Sequence, residues 1–457
     1  MKHPWNLLLA LLVCGCAAAP RTPFEIEMER APMALETPLP VLEESDTVRH
    51  IASPAWETQV AISPANPNIV LASAMRHIDD TYFRCEIRRS EDGGRTWKDP
   101  VPLPLSLATH TYRGQADPVL AFDRTGVAYC ALLFVEWTTN EGMALFRSTD
   151  DGQTWETITL SEYQVANGKL PFDDKEWIAV DNSGGEHDGT VYLAWLRSTL
   201  PVDKNTSQEM FLSHSTNGGH TWTPPISTGS AGCAFVAAGA DGRVYFSHSG
   251  GIGYVVQTSS DGGATLTPAG KGVPMSLLNP TTLPNVKATA NVLQQMAVDV
   301  SNKPWRGNVY LAYPGSEPGG APPASVWFVR SADGGATWSK AVRLSAPASL
   351  KRDAVLPAIA TDPITGDVMI TWLDRRDDPR NTLARLYATV SHDGGETFAP
   401  AWAVTPPFSI DALFIGHYNS IALYGETRLA AVSDAAGNAS VVRITEPVAP
   451  ARRRAAR

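Results

Sequence analysis

Ser90–Trp97 reads SEDGGRTW, and the octet returns with small changes as STDDGQTW at 148, STNGGHTW at 215, SSDGGATL at 259, SADGGATW at 331 and SHDGGETF at 391. Successive copies start 58, 67, 44, 72 and 60 residues apart, a loose period that marks stacked units of one supersecondary type. Each copy carries the chemistry of a hairpin turn. The short side chain at its third position, Asp92, Asp150, Asn217, Asp261, Asp333 or Asp393, is suited to accept hydrogen bonds from amides of its own loop, and glycine supplies positive φ without a Cβ penalty. Threonine then re-enters an extended strand, where the closing Trp, Leu or Phe buries its side chain. These six residues are read as structural, because turn geometry accounts for every residue type and the loop holds no nucleophile and base.

Two further extended runs precede each octet, as in DPVLAFDRTGVAYCALLF (117 to 134) and LPAIATDPITGDVMITWLD (356 to 374). With the run that enters the octet and the run that leaves it, each unit has four short strands, the signature of a propeller blade. Runs such as VLAF and WIAV lack clean alternation, as expected for sheets covered on both faces by neighbours. The reading is an all-β propeller of four-stranded antiparallel blades, at 57 to 103, 115 to 160, 175 to 228, 233 to 268, 292 to 344 and 354 to 404. Residues 416 to 447 supply three strands of a seventh blade without an octet, and DTVRHIAS (46 to 53) is placed to be its outer strand, since a closed ring leaves no exposed edge. Six blades with a C-terminal appendage is the alternative.

The start, MKHPWNLLLALLVCGCAAAP, has a basic residue, an apolar run too short to span a membrane as a mature helix, and small residues around cysteine. Residues 1 to 16 are therefore read as a lipoprotein signal with Cys16 as the lipidated residue, against an ordinary secretory signal cleaved near Ala19. Either reading exports the chain, the first to the cell envelope on a membrane anchor. Residues 17 to 45 read as a Pro-rich tether, 46 to 447 as the propeller and 448 to 457 as a basic solvated tail. With 47 acidic residues against 37 basic and a net charge of −10, the chain lacks the basic face that nucleic-acid binding needs. A monomer is expected, with no cofactor and no metal, since no HExxH, GxSxG, CxxC, P-loop or EF-hand spacing occurs. Cys85, Cys130 and Cys233 lie in strand patterns and read as buried thiols, a Cys85 to Cys130 bridge being the alternative.

The octets mark one face of the ring. Loops on the other collect residues that turns do not explain: Glu57, Gln59, His77, Asp79, Asp80, Arg113, Asp117, Glu136, Trp137, Asp173, Asp174, Lys175, Glu176, Arg197 and His248 from the first four blades. The later blades add Gln294, Gln295, Tyr313, Arg352, Asp353, Asp374, Arg375, Arg376, Asp377, Asp378, His417 and Tyr418. Guanidinium forks in a concave site suit a carboxylate or sulfate ligand, and Arg113, Lys175, Arg352, Asp374, Arg375 and Arg376 with Trp177 for stacking form the candidate glycan or anion site. Internally satisfied salt bridges within DDKEW (173 to 177) and WLDRRDD (372 to 378) are the competing reading.

The octets together with QADPVLAFD, DKEWIAVD, WLDRRDD and FIGHYNSIAL make the chain resemble the Asp-box (BNR) repeat proteins of the sialidase superfamily over nearly all of residues 50 to 447. The resemblance implies a sialidase-like propeller. If it extends to activity, it implies an arginine triad for a substrate carboxylate, a tyrosine nucleophile polarised by a glutamate, and an aspartate acid. By position these are Arg113, Arg352 and Arg375 or Arg376 for the triad, Tyr418 with Glu176, and Asp79, Asp80 or Asp117 for the acid. The strand that would carry an Arg-Ile-Pro tract reads WETQVAISP (56 to 64) instead. Three classes stay open: a binder of glycans or other anionic ligands, a retaining exo-sialidase, and a noncatalytic envelope protein.

Overall fold

A computed structural model describes residues 40–447 apart from 80, 202–205, 231, 251–252, 275–280, 291–292, 318–320 and 413; residues 1 to 16, read as a lipoprotein signal with Cys16, most of the stretch read as a tether and the C-terminal stretch read as a basic tail lie outside the described residues. The strands form seven antiparallel blades in a ring. The first blade is Ala55–Ile62, Val70–His77, Phe83–Ser90 and Val101–Pro102; the second is Gly114–Phe122, Ala128–Val135, Asn140–Ser148 and Glu156–Gln164. The third is Leu170–Val180, Val191–Leu200, Glu209–Ser215 and Ile226–Ser230. The fourth to sixth begin at Phe235, Gln295 and Ala354. Each inner strand lies against the next around the axis, and that of the seventh blade, Ser420–Tyr424, returns to the first.

Closure uses the strand expected for it. Val48–Ala52 pairs antiparallel with Ala439–Arg443, Val48 opposite Val442, so the last blade takes its outer strand from the start of the domain and no long edge is left open. Residues 40 to 45, read as the end of the tether, extend this clasp. The Leu42 amide donates to Asp434 Oδ2 at 2.8 Å and its side chain is buried.

The core is a set of apolar layers, one between each pair of neighbouring blades. Between the first two, Leu71, Ile87 and Leu103 meet Leu120, Cys130 and Phe146. Between the fifth and sixth, Tyr310 and Phe328 meet Ile370 and Trp372. Every residue of Ala128–Val135 is buried, because such a strand has a blade on either side, which removes the alternation seen in half-exposed sheets.

The octets close the third-to-fourth strand turns as expected, and their opening serine has a role of its own. In the first copy Asp92 Oδ1 accepts from the Thr96 amide at 2.8 Å and from Ser90 Oγ at 2.8 Å, while Ser90 Oγ accepts from the Gly94 amide at 2.9 Å. The lattice recurs around Asp150, Asn217, Asp261, Asp333 and Asp393. The second glycine also faces the preceding blade: a Cβ on Gly395, at φ +80°, would stand 2.8 Å from Phe328. Cys85 and Cys130 are buried free thiols with no bridge between them, whereas Cys233 is disulfide-bonded rather than the thiol its strand pattern suggested.

Candidate functional site

At the face opposite the octets, the inner strands of three consecutive blades each carry an extra residue. The ladders slip between Trp56 and Gln59, between Ala116 and Val119, and between Asp174 and Trp177. Within each slip one non-glycine residue takes a left-handed φ of 53°: Glu57, Asp117 and Lys175. A bulge re-aims a side chain out of the strand's alternation, and the left-handed conformation costs a side-chain-bearing residue about 1–2 kcal/mol. The sixth blade repeats the device at Leu356, also φ 53°. The backbone feature therefore belongs to the fold, and the charges belong to these three blades.

Their side chains converge. Lys175 Nζ donates to Asp117 Oδ2 at 2.7 Å and to Glu57 Oε1 at 3.2 Å, and it lies 5.3 Å from the centre of the Tyr418 ring. Glu57 Oε1 is also 2.8 Å from His417 Nδ1. Glu57, Asp117 and Lys175 are only 1%, 3% and 7% exposed, so water does little to screen them. Burial and then the neighbouring Glu57 raise Asp117 to about 7 against the pull of Lys175. Burial raises Asp174 to about 7 as well, although Lys175 opposes it. Burial alone would lower Lys175, but Asp117, Glu57 and Asp174 hold its ammonium above the ordinary lysine value. Burial, followed by Lys175, pushes His417 well below its usual value, which leaves the ring neutral.

Beside this cluster lies a small, partly open pocket with room of its own for only a few atoms. Glu57, Asp117 and Asp174 form its polar side. Trp137, Phe172, Phe83 and Phe414 form its aromatic wall, completed by Met75, Leu133 and Ala116. Trp137 and Phe172 stack with ring centres 6.0 Å apart and planes inclined by 25°. The Trp137 indole N–H donates to Thr81 O at 2.9 Å, which fixes the ring from the neighbouring blade.

The residues selected from sequence divide into two groups. Asp117, Lys175, Glu176 and Tyr418 come together at the pore. The Tyr418 hydroxyl has no hydrogen-bond partner among the described residues, and neither carboxylate oxygen of Glu176 has one beyond its own amide. Burial and then Asp117 raise the Glu176 carboxyl well above its usual range, and burial and then Glu57 raise the Tyr418 phenol. Trp177 lies edge-on to Tyr418 and 4.3 Å from the Phe235 ring, within the layer between the third and fourth blades.

The others are engaged elsewhere, apart from Asp80, which lies outside the described residues. Asp79 caps its own turn, accepting from the Thr81 and Tyr82 amides. Arg113 is exposed and lies 4.3 Å over the Tyr82 ring. Arg352 donates to Asp378 O and Pro379 O. Arg375 is buried on Asp353 and Pro284 O, and Arg376 pairs with Asp374 at 2.6 Å while covering the Tyr387 ring. Asp374 also accepts from the Trp372 indole at 2.7 Å. The cation placed over Tyr418 is thus Lys175, and WLDRRDD is an internally bonded corner.

Glu57, Asp174 and Trp137 stood among the loop residues on this face but outside the narrower set. Phe83, Phe172 and Phe414 carried no distinguishing signal, since aromatic residues at strand ends usually belong to a core. Superposing the inner strands as WETQ, ADPV and DKEW would have exposed the recurring bulge position.

No family model and no curated protein matches the chain. Among solved structures it is similar to a Hadza microbial sialidase, at 14% identity over 83% of this chain and 74% of that one, with a TM-score of 0.46. It is also similar to an α-L-arabinofuranosidase from Fusarium graminearum, at 12% identity over 89% and 97% with a TM-score of 0.45. A third, the α-L-arabinanase of Penicillium chrysogenum, has 13% identity over 89% and 97% with a TM-score of 0.46.

Proposed function

We propose that the chain is an exported glycan-binding propeller that holds a sugar by a substituent seated in the small pocket formed by its first three blades. One observation carries this reading: the stacked Trp137 and Phe172 rings line the same small cavity as the carboxylates of Asp117 and Asp174. A sugar ring offers an apolar face to an aromatic platform and hydroxyl donors to carboxylates, and a few placed polar groups in an apolar pocket are the usual form of a small-ligand site. The platform is held in place by the Trp137 bond to Thr81, so little ordering accompanies binding. An anionic ligand, suggested by the arginines, fits this pocket poorly, because Lys175 is already engaged by two carboxylates. Titrating the purified chain with a panel of neutral, basic and acidic oligosaccharides, followed by tryptophan fluorescence, tests the reading. Binding that is lost in Trp137→Ala supports it, and silence across the panel overturns it.

A second reading is retaining hydrolysis, with Tyr418 as nucleophile and Glu176 as its base. The unpartnered Tyr418 hydroxyl and Glu176 carboxylate favour it, since buried polar atoms are ordinarily paired. Turnover of a fluorogenic sialoside that disappears in Tyr418→Phe would support it; no turnover by the parent chain removes it. Lipid anchoring at Cys16 is part of the proposal, and metabolic labelling with a fatty-acid analogue, lost in Cys16→Ser, is its check.

A further inference from the structure

The polar side of the pocket is unbalanced in charge. Its lining contains Glu57, Asp117 and Asp174 and no basic side chain. The Lys175 ammonium, outside the lining, is bonded to Glu57 and Asp117. Asp174 is not bonded to that ammonium: it is 5% exposed, and its Oδ1 accepts the adjacent Lys175 amide at 2.9 Å. Glu57 Oε2 is buried without a hydrogen-bond partner among the described residues. The rings of Trp137 and Phe172 line the same pocket, and aromatic faces attract a cation.

We infer that the group seated in this pocket is a protonated amine, so that the preferred ligand is an amino sugar with a free ammonium. The inference rests on the glycan reading above and names the class of sugar. A hydroxyl can donate to Asp174 but brings no charge to match its ionised form. An N-acetyl group brings one N–H together with a carbonyl that faces acceptors only, and a uronic acid adds a carboxylate to a site already rich in them. An ammonium supplies several donors and a positive charge at once, and its CH-bearing ring covers the aromatic wall.

The test is calorimetric titration of the full chain with a glucosamine oligosaccharide, the matching N-acetylglucosamine oligosaccharide and tetramethylammonium. The free-amine saccharide is expected to bind at least about tenfold tighter than the acetylated one, and Asp174→Asn, with its fold checked by melting, is expected to abolish that preference. Equal affinity for the two saccharides overturns the inference and leaves the glycan reading standing. Binding of tetramethylammonium without either saccharide overturns the glycan reading and keeps the cation site. Silence from all three ligands overturns both. If Asp174→Asn fails to fold, the comparison of the two saccharides on the parent chain still decides.

Discussion

Lys175 Nζ lies 2.7 Å from Asp117 Oδ2, a bond between residues 58 apart in sequence that hold the same left-handed φ of 53° in adjacent blades. Removing one partner of a buried charge set is expensive because the others are left uncompensated. Lys175→Met, which keeps the stem volume, is expected to cost about 3 kcal/mol at pH 8 by urea denaturation. The loss should be smaller near pH 6, where Asp117 is neutral in the folded chain.

Stability should fall between mildly acidic and mildly alkaline pH. Asp117 and Asp174 titrate at about 7 in the folded chain against the ordinary aspartate value of 3.8. Over the window from about pH 4 to about pH 7 the folded state therefore holds protons that the unfolded state has released. By linkage, stability declines as pH rises through that window and levels off above it. The groups facing this pair include Glu57, Asp173, Glu176, Lys175 and His417. Octet aspartates held at about 2, such as Asp92, Asp261 and Asp333, stay ionised throughout and do not mask the trend. A melting temperature higher at pH 5.5 than at pH 8, with the difference reduced in Asp117→Asn, is the expected result. Binding of an ammonium runs the opposite way and strengthens with pH, because it displaces those protons.

The second octet glycine should be the sensitive one. Gly395 and Gly184 both have positive φ, +80° and +72°, but a Cβ meets the buried Phe328 ring in the first case and open space in the second. Each alanine variant bears the left-handed cost of about 1–2 kcal/mol. Gly395→Ala adds overpacking of about 1–3 kcal/mol, so thermal denaturation should rank it well below Gly184→Ala.

Starting the chain at residue 54 should open the ring. Leu42, Val48 and Ile51 are each about 2% exposed or less, and burying a side chain of this size contributes about 1.5–3 kcal/mol. The truncated chain also exposes the edge of Ala439–Arg443. A loss of roughly 5 kcal/mol with concentration-dependent light scattering is expected, and adding residues 40 to 53 back as a peptide should suppress the scattering.

What the amino-acid order determines by itself is the blade and its number. The octet is a local object: Ser90, Asp92, Gly94 and Thr96 bond to one another within four residues, so its geometry is written in adjacent letters. Six such corners, three surplus strands and an unpaired run at 46 to 53 sufficed to place a seventh blade and its closure. The pocket is the opposite kind of object. Whether an arginine is free or spent depends on partners such as Pro284 O for Arg375, 91 residues away. Whether Glu57, Asp117 and Lys175 point along the pore or into a blade depends on one extra residue in each ladder. Composition and period do not encode a bulge, since the same residues in regular pleat would face the neighbouring sheets. Only the closed ring brings three inner strands close enough for their charges to share one ammonium, and that choice was made by packing between blades.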